Sequence, residues 1–506
     1  MLLERGISFA SNQDYDTAIA DFTEAIKHDR KFAAAYTQRG LAYTYRGDYK
    51  KAIKDYTRVV RLEPKSAAAY NSLGDAYYID GSYAKAVKNY TKAIKIYPNS
   101  AIYYNRGNAY SATGKYDKAI SDYTRVISMG NMGTAHIKNV FDGIIPDMEL
   151  AAVADRLPAR REWAKGILPA GFPIFEDGSE LIKSGKANAV LIAVPHYQHP
   201  PLAIEAFKAG LHVLCEKPAG VYTKQVREMN KAAADSGLVF AMMFNQRTNS
   251  YFKKMRELVQ GGSLGAVKRT SWIITNWYRT QAYYDSGDWR ATWDGEGGGV
   301  LLNQCPHQLD LFQWICGMPS AVRAFCHNGK WHNIEVEDDV TAYLEYPNGA
   351  TGTFITSTAD APGTNRFEIT LEWGKLVNDE NTNLTLYKLE KNEREFNKTA
   401  AGGFDSPKFT VEKIETDGSN EQHVGVVKAF AGKIVHGTPL IADGQEGING
   451  LTLSNAMHLS SWLETTVKVP FDEDLFLAEL NKRRATSKIK KGTGVVFQSG
   501  KSYNEK

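Results

Sequence analysis

A chain of 506 residues with 43% hydrophobic content can fill several separate cores, and a prior of roughly 150 residues per domain predicts about three of them. The 61 basic and 57 acidic residues leave a formal charge of +4, which excludes a protein-wide field for nucleic acid or other acidic polymers. Cys215, Cys305, Cys316 and Cys326 lack both CxxC spacing and disulfide-scaffold density, so free thiols in a reducing cytoplasm are expected and a zinc site is not.

The amino terminus, MLLERGISFASNQDYD, has no apolar core of signal-peptide length, and no later run approaches the roughly 18 apolar residues of a membrane helix. No membrane partner is expected. From here to residue 127 the chain repeats itself. ERGISF, QRGLAY, SLGDAY and NRGNAY align with Gly6, Gly40, Gly74 and Gly107 in register, at steps of 34, 34 and 33 residues. A small residue follows each glycine at the same offset (Ala18, Ala52, Ala86, Ala119), and an aromatic follows four further on (Phe22, Tyr56, Tyr90, Tyr123). In YDTAIADFTEAI, YKKAIKDYTRVV, YAKAVKNYTKAI and YDKAISDYTRVI the apolar positions recur at helical spacing, which predicts a second helix per unit with one buried face. The pattern resembles the tetratricopeptide repeat, whose helix pairs need small residues where backbones approach and aromatics between them. The resemblance implies an all-α array of four units over residues 1–127, with a concave surface for a protein or peptide partner.

The fourth unit runs out at Ile127 with no capping helix, and the same residues must open a buried parallel strand. Only Val126 and Ile127 are apolar there, so the first strand is expected to be short or missing. The loop after it reads Ser128-x-Gly130-Asn131-Met132-Gly133, a G-x-G-x-x-G without its first glycine. Gly130 lets the backbone approach a pyrophosphate, and Gly133 lets helix pack on strand. TAHIKNVFDGI then predicts a helix whose amino end faces phosphate, and MELAAVADR a second strand ending in Asp155, placed to meet the adenosine ribose hydroxyls. Arg156 could contact a ribose phosphate that Asp155 would repel, so NAD is preferred and NADP stays open.

The run NAVLIAVPHYQHPPLAIEAFKAGLHVLCEKPAG holds two buried strands around a helix and ends in a charged pair. With GNMGTAHIKNV and GGGVLLNQCPHQLDL it resembles the glucose-fructose oxidoreductase and inositol dehydrogenase (Gfo/Idh/MocA) family over roughly residues 126–485. The resemblance implies a Rossmann dinucleotide-binding domain over 128–245, an α+β substrate and oligomerisation domain with a large, mostly antiparallel sheet over 246–485, and a basic tail over 486–506. Glu216, Lys217 and Pro218 match the family's E-K-P element at the carboxyl end of a strand, which places Lys217 beside nicotinamide and substrate. His307 matches its catalytic histidine, able as a neutral imidazole to take a hydroxyl proton while hydride leaves the same carbon. Pro195 and His199 bracket a P-x-x-x-H element on the cofactor side. Asn303 departs from the pattern: the inositol dehydrogenases carry aspartate four residues before the histidine, on the same helical face. An amide there can orient the imidazole but cannot balance its positive charge.

From about Phe244 the chain turns to strand-like runs, TSWIITNWYRT, VRAFCHN, DDVTAYLEYPNGATGTFITST and RFEITLEWGKLVN. Such a sheet leaves one face for a second subunit, so a homo-oligomer is expected. NWYRTQAYYDSGDWRATWDGEGGG is dense in aromatics and arginine just before the histidine helix. Aromatics stack on sugar rings while Arg, Asn and Gln bind their hydroxyls, which nominates Trp277, Arg279, Tyr283, Trp289 and Gln304 for substrate. The expected protein is an NAD(P)-dependent oxidoreductase of a sugar, sugar derivative or cyclitol hydroxyl, with the repeats as a docking array. Two other readings stay open: an NAD-assisted glycosidase of the same family, and a repeat scaffold whose cofactor domain the join has inactivated.

Overall fold

The computed structural model describes residues 2–96, 102, 105, 106, 109, 112, 113, 127, 128 and 131–488. Six helices form three antiparallel pairs, α1 (Leu2–Ser11) with α2 (Tyr15–His28), α3 (Ala33–Tyr45) with α4 (Tyr49–Leu62), and α5 (Ala67–Ile79) with α6 (Tyr83–Ile96). The register of small and aromatic residues has a direct cause. A Cβ added at Gly6 would stand 2.6 Å from the Phe22 ring, and one at Gly74 would stand 2.5 Å from Tyr90. Each glycine is the seat of the next helix's aromatic. Arg5 pairs with Asp21 and Arg39 with Asp55 across the same helix pairs, both bidentate, which ties helix to helix beyond the apolar contact. Most of the fourth unit, its missing cap and the basic tail beyond residue 488 lie outside the described residues.

A parallel six-stranded sheet follows, in the order β3 (Ile174–Phe175), β2 (Val153–Ala154), β1 (Ile127–Ser128), β4 (Ala189–Ile192), β5 (His212–Cys215), β6 (Phe240–Met242). The shortened first strand is present. Ile127 is in register with Val153 on one side and Leu191 on the other, so the sheet is continuous through its centre. The order reverses between β1 and β4, the place where such sheets hold ligands beyond their carboxyl ends.

The second sheet has nine strands: β7 (Val267–Ile274), β8 (Ala321–Asn328), β9 (Glu337–Glu345), β10 (Thr351–Ser357), β11 (Asn365–Leu371), β12 (Gly374–Asp379), β13 (Asn383–Leu389), β14 (Phe409–Lys413) and β15 (Val467–Lys468). Their spatial order is β14-β13-β12-β11-β7-β10-β9-β8-β15, antiparallel throughout except for the β7–β10 pair. β7 ends at Ile274, so the NWYRT that follows it is loop and not strand. Trp272 on β7 stacks on Phe367 at 4.3 Å and meets Phe312 and Phe354, the centre of a core that runs on into Val190, Val213 and Met242 of the first sheet.

The two sheets therefore do not have wholly separate interiors. The helix Gln422–His436, far down the chain, packs Val426, Val427, Phe430, Ala431 and Ile434 against Val153, Leu191, Leu214 and Met243 of the parallel sheet. A bridge between Ala241 and Asp443 continues that return. Among the described residues no helix is long and apolar enough to cross a membrane. All four cysteines are free thiols.

Candidate active site

The helix Asn131–Phe141 begins just past the carboxyl end of β1, so its first backbone N–H groups point beyond the sheet at the switch point. Gly133 is buried in its first turn; Gly130 lies outside the described residues, and only the backbone of Asn131 and Met132 is described. Asp155 follows β2, half-buried, with Oδ1 accepting from Leu157 N at 2.8 Å. Burial raises its carboxyl pKa, opposed by that bond and by Arg160 and Arg161. Arg156 turns away to Asp177, 2.8 Å from its Oδ2.

β5 delivers Glu216 and Lys217 together, but to different places. Glu216 points inward: His136 Nε2, from the helix Asn131–Phe141, donates to its Oε1 at 2.8 Å, and Lys217 N donates to its Oε2 at 3.2 Å. Burial pushes the Glu216 carboxyl up, yet the His136 bond, with His423 and Lys217 nearby, brings it down to about 2. These bonds tie the Glu216 carboxyl to the helix Asn131–Phe141 and to the backbone of its own loop. Lys217 points the other way, and its Nζ donates to the backbone O of Asn303 at 2.9 Å.

His307 stands in the first turn of the helix Pro306–Cys316, its ring fully buried and its Nδ1 without a hydrogen-bond partner. Burial, then Lys217 and His423, hold its pKa well below the usual histidine value. The ring is thus a neutral base with a free polar atom. Asn303 does not share its helical face. Pro306 opens the helix, and Asn303 sits in the preceding turn, where its N donates to Gly299 O at 2.9 Å. There its amide Nδ2 donates to Glu296 Oε1. Glu296 is buried, its other oxygen accepts from Ala291 N at 2.6 Å, and burial raises its pKa against the pull of Arg290. A buried carboxyl therefore stands behind the Asn303 amide.

The turn is held by glycine. A Cβ on Gly299 would stand 2.0 Å from Glu337 O, so the backbone itself packs against the start of β9. Glu337 answers with its side chain, Oε1 accepting from Gly299 N and Leu301 N at 2.9 and 3.0 Å. Asp310, three residues after His307, forms a bidentate buried pair with Arg247, at 2.7 and 2.6 Å, which fastens the histidine helix to the segment that follows β6.

The substrate-side nominees come together. Gln304 Nε2 and Arg290 Nη1 both donate to Tyr283 OH, at 3.3 and 2.8 Å. Arg279 lies over the rings of Trp277 and Tyr283, and Trp289 meets His196 edge-on at 5.9 Å. His199 is apart from them. Both its ring nitrogens lie against backbone carbonyls, Pro218 O at 2.7 Å and Val194 O at 2.8 Å, so it clamps Pro195 and its neighbours to the Lys217 segment.

Sequence reasoning did not find His136, His423, Glu296 or Arg290. His136 had a signal, three residues past Gly133, and Arg290 and Glu296 both lay inside the quoted aromatic and glycine-rich stretch; His423 had none. His423 reaches Glu216, Lys217 and His307 from the helix Gln422–His436, and burial takes its pKa down to about 4. Among the described residues no group of three or more His, Cys, Asp or Glu is placed to hold a metal ion.

Comparison with known proteins agrees with the fold. Residues 125–244 match the oxidoreductase family with an NAD-binding Rossmann fold, residues 252–377 the Gfo/Idh/MocA C-terminal domain, and residues 37–101 and 100–129 tetratricopeptide repeats. Relatives include inositol 2-dehydrogenase of Rubrobacter xylanophilus, 32% identical over 191 residues, covering 37% of this chain and 50% of that protein. D-glucoside 3-dehydrogenase of Escherichia coli is 29% identical over 224 residues, covering 40% and 61%. The chain thus spans about half to three fifths of the curated relatives it matches. The WlbA dehydrogenase of Bordetella pertussis, solved with NADH and UDP-GlcNAcA, has the same fold at a TM-score of 0.59 and 23% identity, over 69% of this chain and 98% of that one. Residues 125–244 and 252–377 thus match the two domains of the Gfo/Idh/MocA oxidoreductase family, and tetratricopeptide repeats are matched ahead of them.

Proposed function

We propose that the chain is a nicotinamide-dependent oxidoreductase acting on a hydroxyl-bearing carbon of a sugar, sugar derivative or cyclitol. The observation that carries the reading is the joining of Lys217 to Asn303, four residues before a neutral, buried His307 with an unpartnered Nδ1. The residues fit NAD: amides of the helix Asn131–Phe141 for the pyrophosphate, Asp155 for the ribose, and Pro195 with Lys217 along the nicotinamide side. Arg156 is engaged by Asp177, and the Asp155 carboxyl that follows β2 offers acceptors suited to ribose hydroxyls, which favours NAD over NADP. Bound NAD would supply the hydride acceptor for the substrate carbon.

This chain's own residues do the rest. The Lys217 ammonium donates to the reacting hydroxyl oxygen and stabilises the negative charge that develops on it. His307 accepts the hydroxyl proton; desolvation keeps it neutral beforehand, and the backbone bond from Lys217 to Asn303 fixes the distance between the two. A two-residue β1 that still pairs with both neighbours supports a working site over an inactivated one. The repeats serve as a docking array for a protein or peptide, and the sheet face carrying exposed Phe325 and Tyr343 serves for self-association.

The test is calorimetric titration of the full chain with NAD and NADH, followed by NADH formation on myo-inositol, methyl D-glucoside and levoglucosan. Micromolar binding and turnover of at least one are expected. A folded protein that binds neither nucleotide overturns the reading, and free sugar released without net NADH replaces it with glycoside cleavage.

A further inference from the structure

Resting on that reading, a deeper statement about the substrate follows from the arginines beside it. Arg279 and Arg290 lie over one ring, Tyr283, at 5.1 and 4.5 Å from its centroid. Two cations sharing a single aromatic repel each other, and one ring cannot offset that in a half-buried setting. A carboxylate would be the expected remedy, yet among the described residues neither guanidinium forms an ion pair with one. Arg290 Nε is buried without a hydrogen-bond partner, and so is Gln304 Oε1 beside it. The near carboxylate, Glu296, already accepts from Ala291 N and the Asn303 amide.

Both arginines are held in place by the backbone. Arg279 N donates to Thr358 O at 2.9 Å, and Arg279 O lies 2.9 Å from His332 Nε2. Arg290 precedes Ala291, a buried non-glycine residue at φ 55, and Glu296 pins that conformation through the Ala291 amide. Left-handed backbone in a residue with a Cβ persists where its surroundings over-determine it. Lys217 completes the field: Lys217 and Arg290 both act on buried His196, while Lys217 and Arg279 both act on Cys305. Three cations converge on the site.

We propose that Arg279 and Arg290 form an anion subsite, so that the substrate is a sugar or cyclitol derivative bearing a carboxylate or a phosphate ester. The anion would lie between the guanidiniums, with Arg290 Nε as one donor, while Gln304 Oε1 accepts from a neighbouring hydroxyl. A neutral polyol leaves the two half-buried guanidiniums with no facing anion but Glu296, which acts on Arg290 alone.

The experiment titrates the NADH-loaded full chain with D-glucuronate, D-glucose 6-phosphate and D-glucose by calorimetry, then repeats it on R279Q and R290Q. At least one anion should bind about tenfold or more tighter than D-glucose, and the advantage should fall with added salt. Tighter glucuronate assigns the subsite to a carboxylate, and tighter glucose 6-phosphate assigns it to a phosphate ester. Both variants should lose the preference while binding NADH as before; R279Q lies away from the strained Ala291 and guards against misfolding of R290Q. No preference for either anion, or a preference that survives both substitutions, overturns the subsite. Loss of NADH binding by the unaltered chain would instead overturn the oxidoreductase reading.

Discussion

A histidine ring taken wholly out of water favours its neutral form, and at His307 the neighbouring Lys217 ammonium pushes the same way. The base is therefore ready at pH values below the ordinary histidine range, and turnover should hold as pH falls through about 6.5. Replacing His307 by Gln should cost roughly 10²- to 10⁴-fold in kcat with NADH affinity unchanged. Glu296 can be tested by exchange. N303D puts two buried carboxylates across one hydrogen bond and should lower activity, whereas N303D with E296Q restores one carboxylate and one amide and should recover much of it. Equal activity of the single and double variants would remove Glu296 from the machinery. Lys217 and His307 were legible because their motifs are local. Glu296 was not, since its bond to Asn303 depends on a turn that three glycines and Glu337 shape. The helical register expected between Asn303 and His307 failed for a physical reason: Pro306, lacking an N–H, begins a helix and does not continue one.

At the level of elements, the site depends on where the helix Pro306–Cys316 is fastened. Its buried Asp310 answers Arg247 with two bonds, and Arg247 also meets Glu446. Removing Asp310 takes away the buried bidentate partner of Arg247 and leaves only the half-exposed Glu446 to answer its buried charge. D310N should cost about 3–5 kcal/mol, seen as a lower denaturation midpoint with an unchanged slope. R247M with D310L should recover part of that loss, because a well-packed apolar pair avoids both desolvation penalties. The repeat helices were readable from sequence because each carries its own period and its own glycine–aromatic pair. The strands of the second sheet were readable by alternation, but the join was not: Ile127 and Ser128 act as strand only because β2 and β4 lie on either side to pair with them.

Across the whole molecule, buried histidines set the acid limit. Burial lowers the pKa of His196, His199 and His307, and takes His212 and His423 to about 4. Below pH about 6.5 the unfolded chain binds protons at these positions and the fold does not, so stability falls with pH from there to about 4. Glu216 works on a lower window. Its folded pKa of about 2 against 4.5 gives stability that is present above 4.5 and is lost as pH falls toward 2. Thermal melts from pH 7.5 to 4 should show a steady decline in Tm; a flat profile over that range would contradict the burial of these rings. F430A should cost about 3–5 kcal/mol and weaken NADH binding, because Phe430 fills the nucleotide-side core from the far end of the chain.

That far-end contribution also sets an order of events. The repeat pairs touch only their neighbours and can fold as they leave the ribosome. The parallel sheet cannot close its face until residues 422–436 have been made, some 180 residues after β6. During that interval Val153, Leu191 and Leu214 lack the part of their cover that Val426, Val427, Phe430, Ala431 and Ile434 supply, so a half-made chain carries a partly open apolar sheet face behind a finished array. Stalled or truncated translation would therefore yield a product with intact repeats and an aggregation-prone remainder.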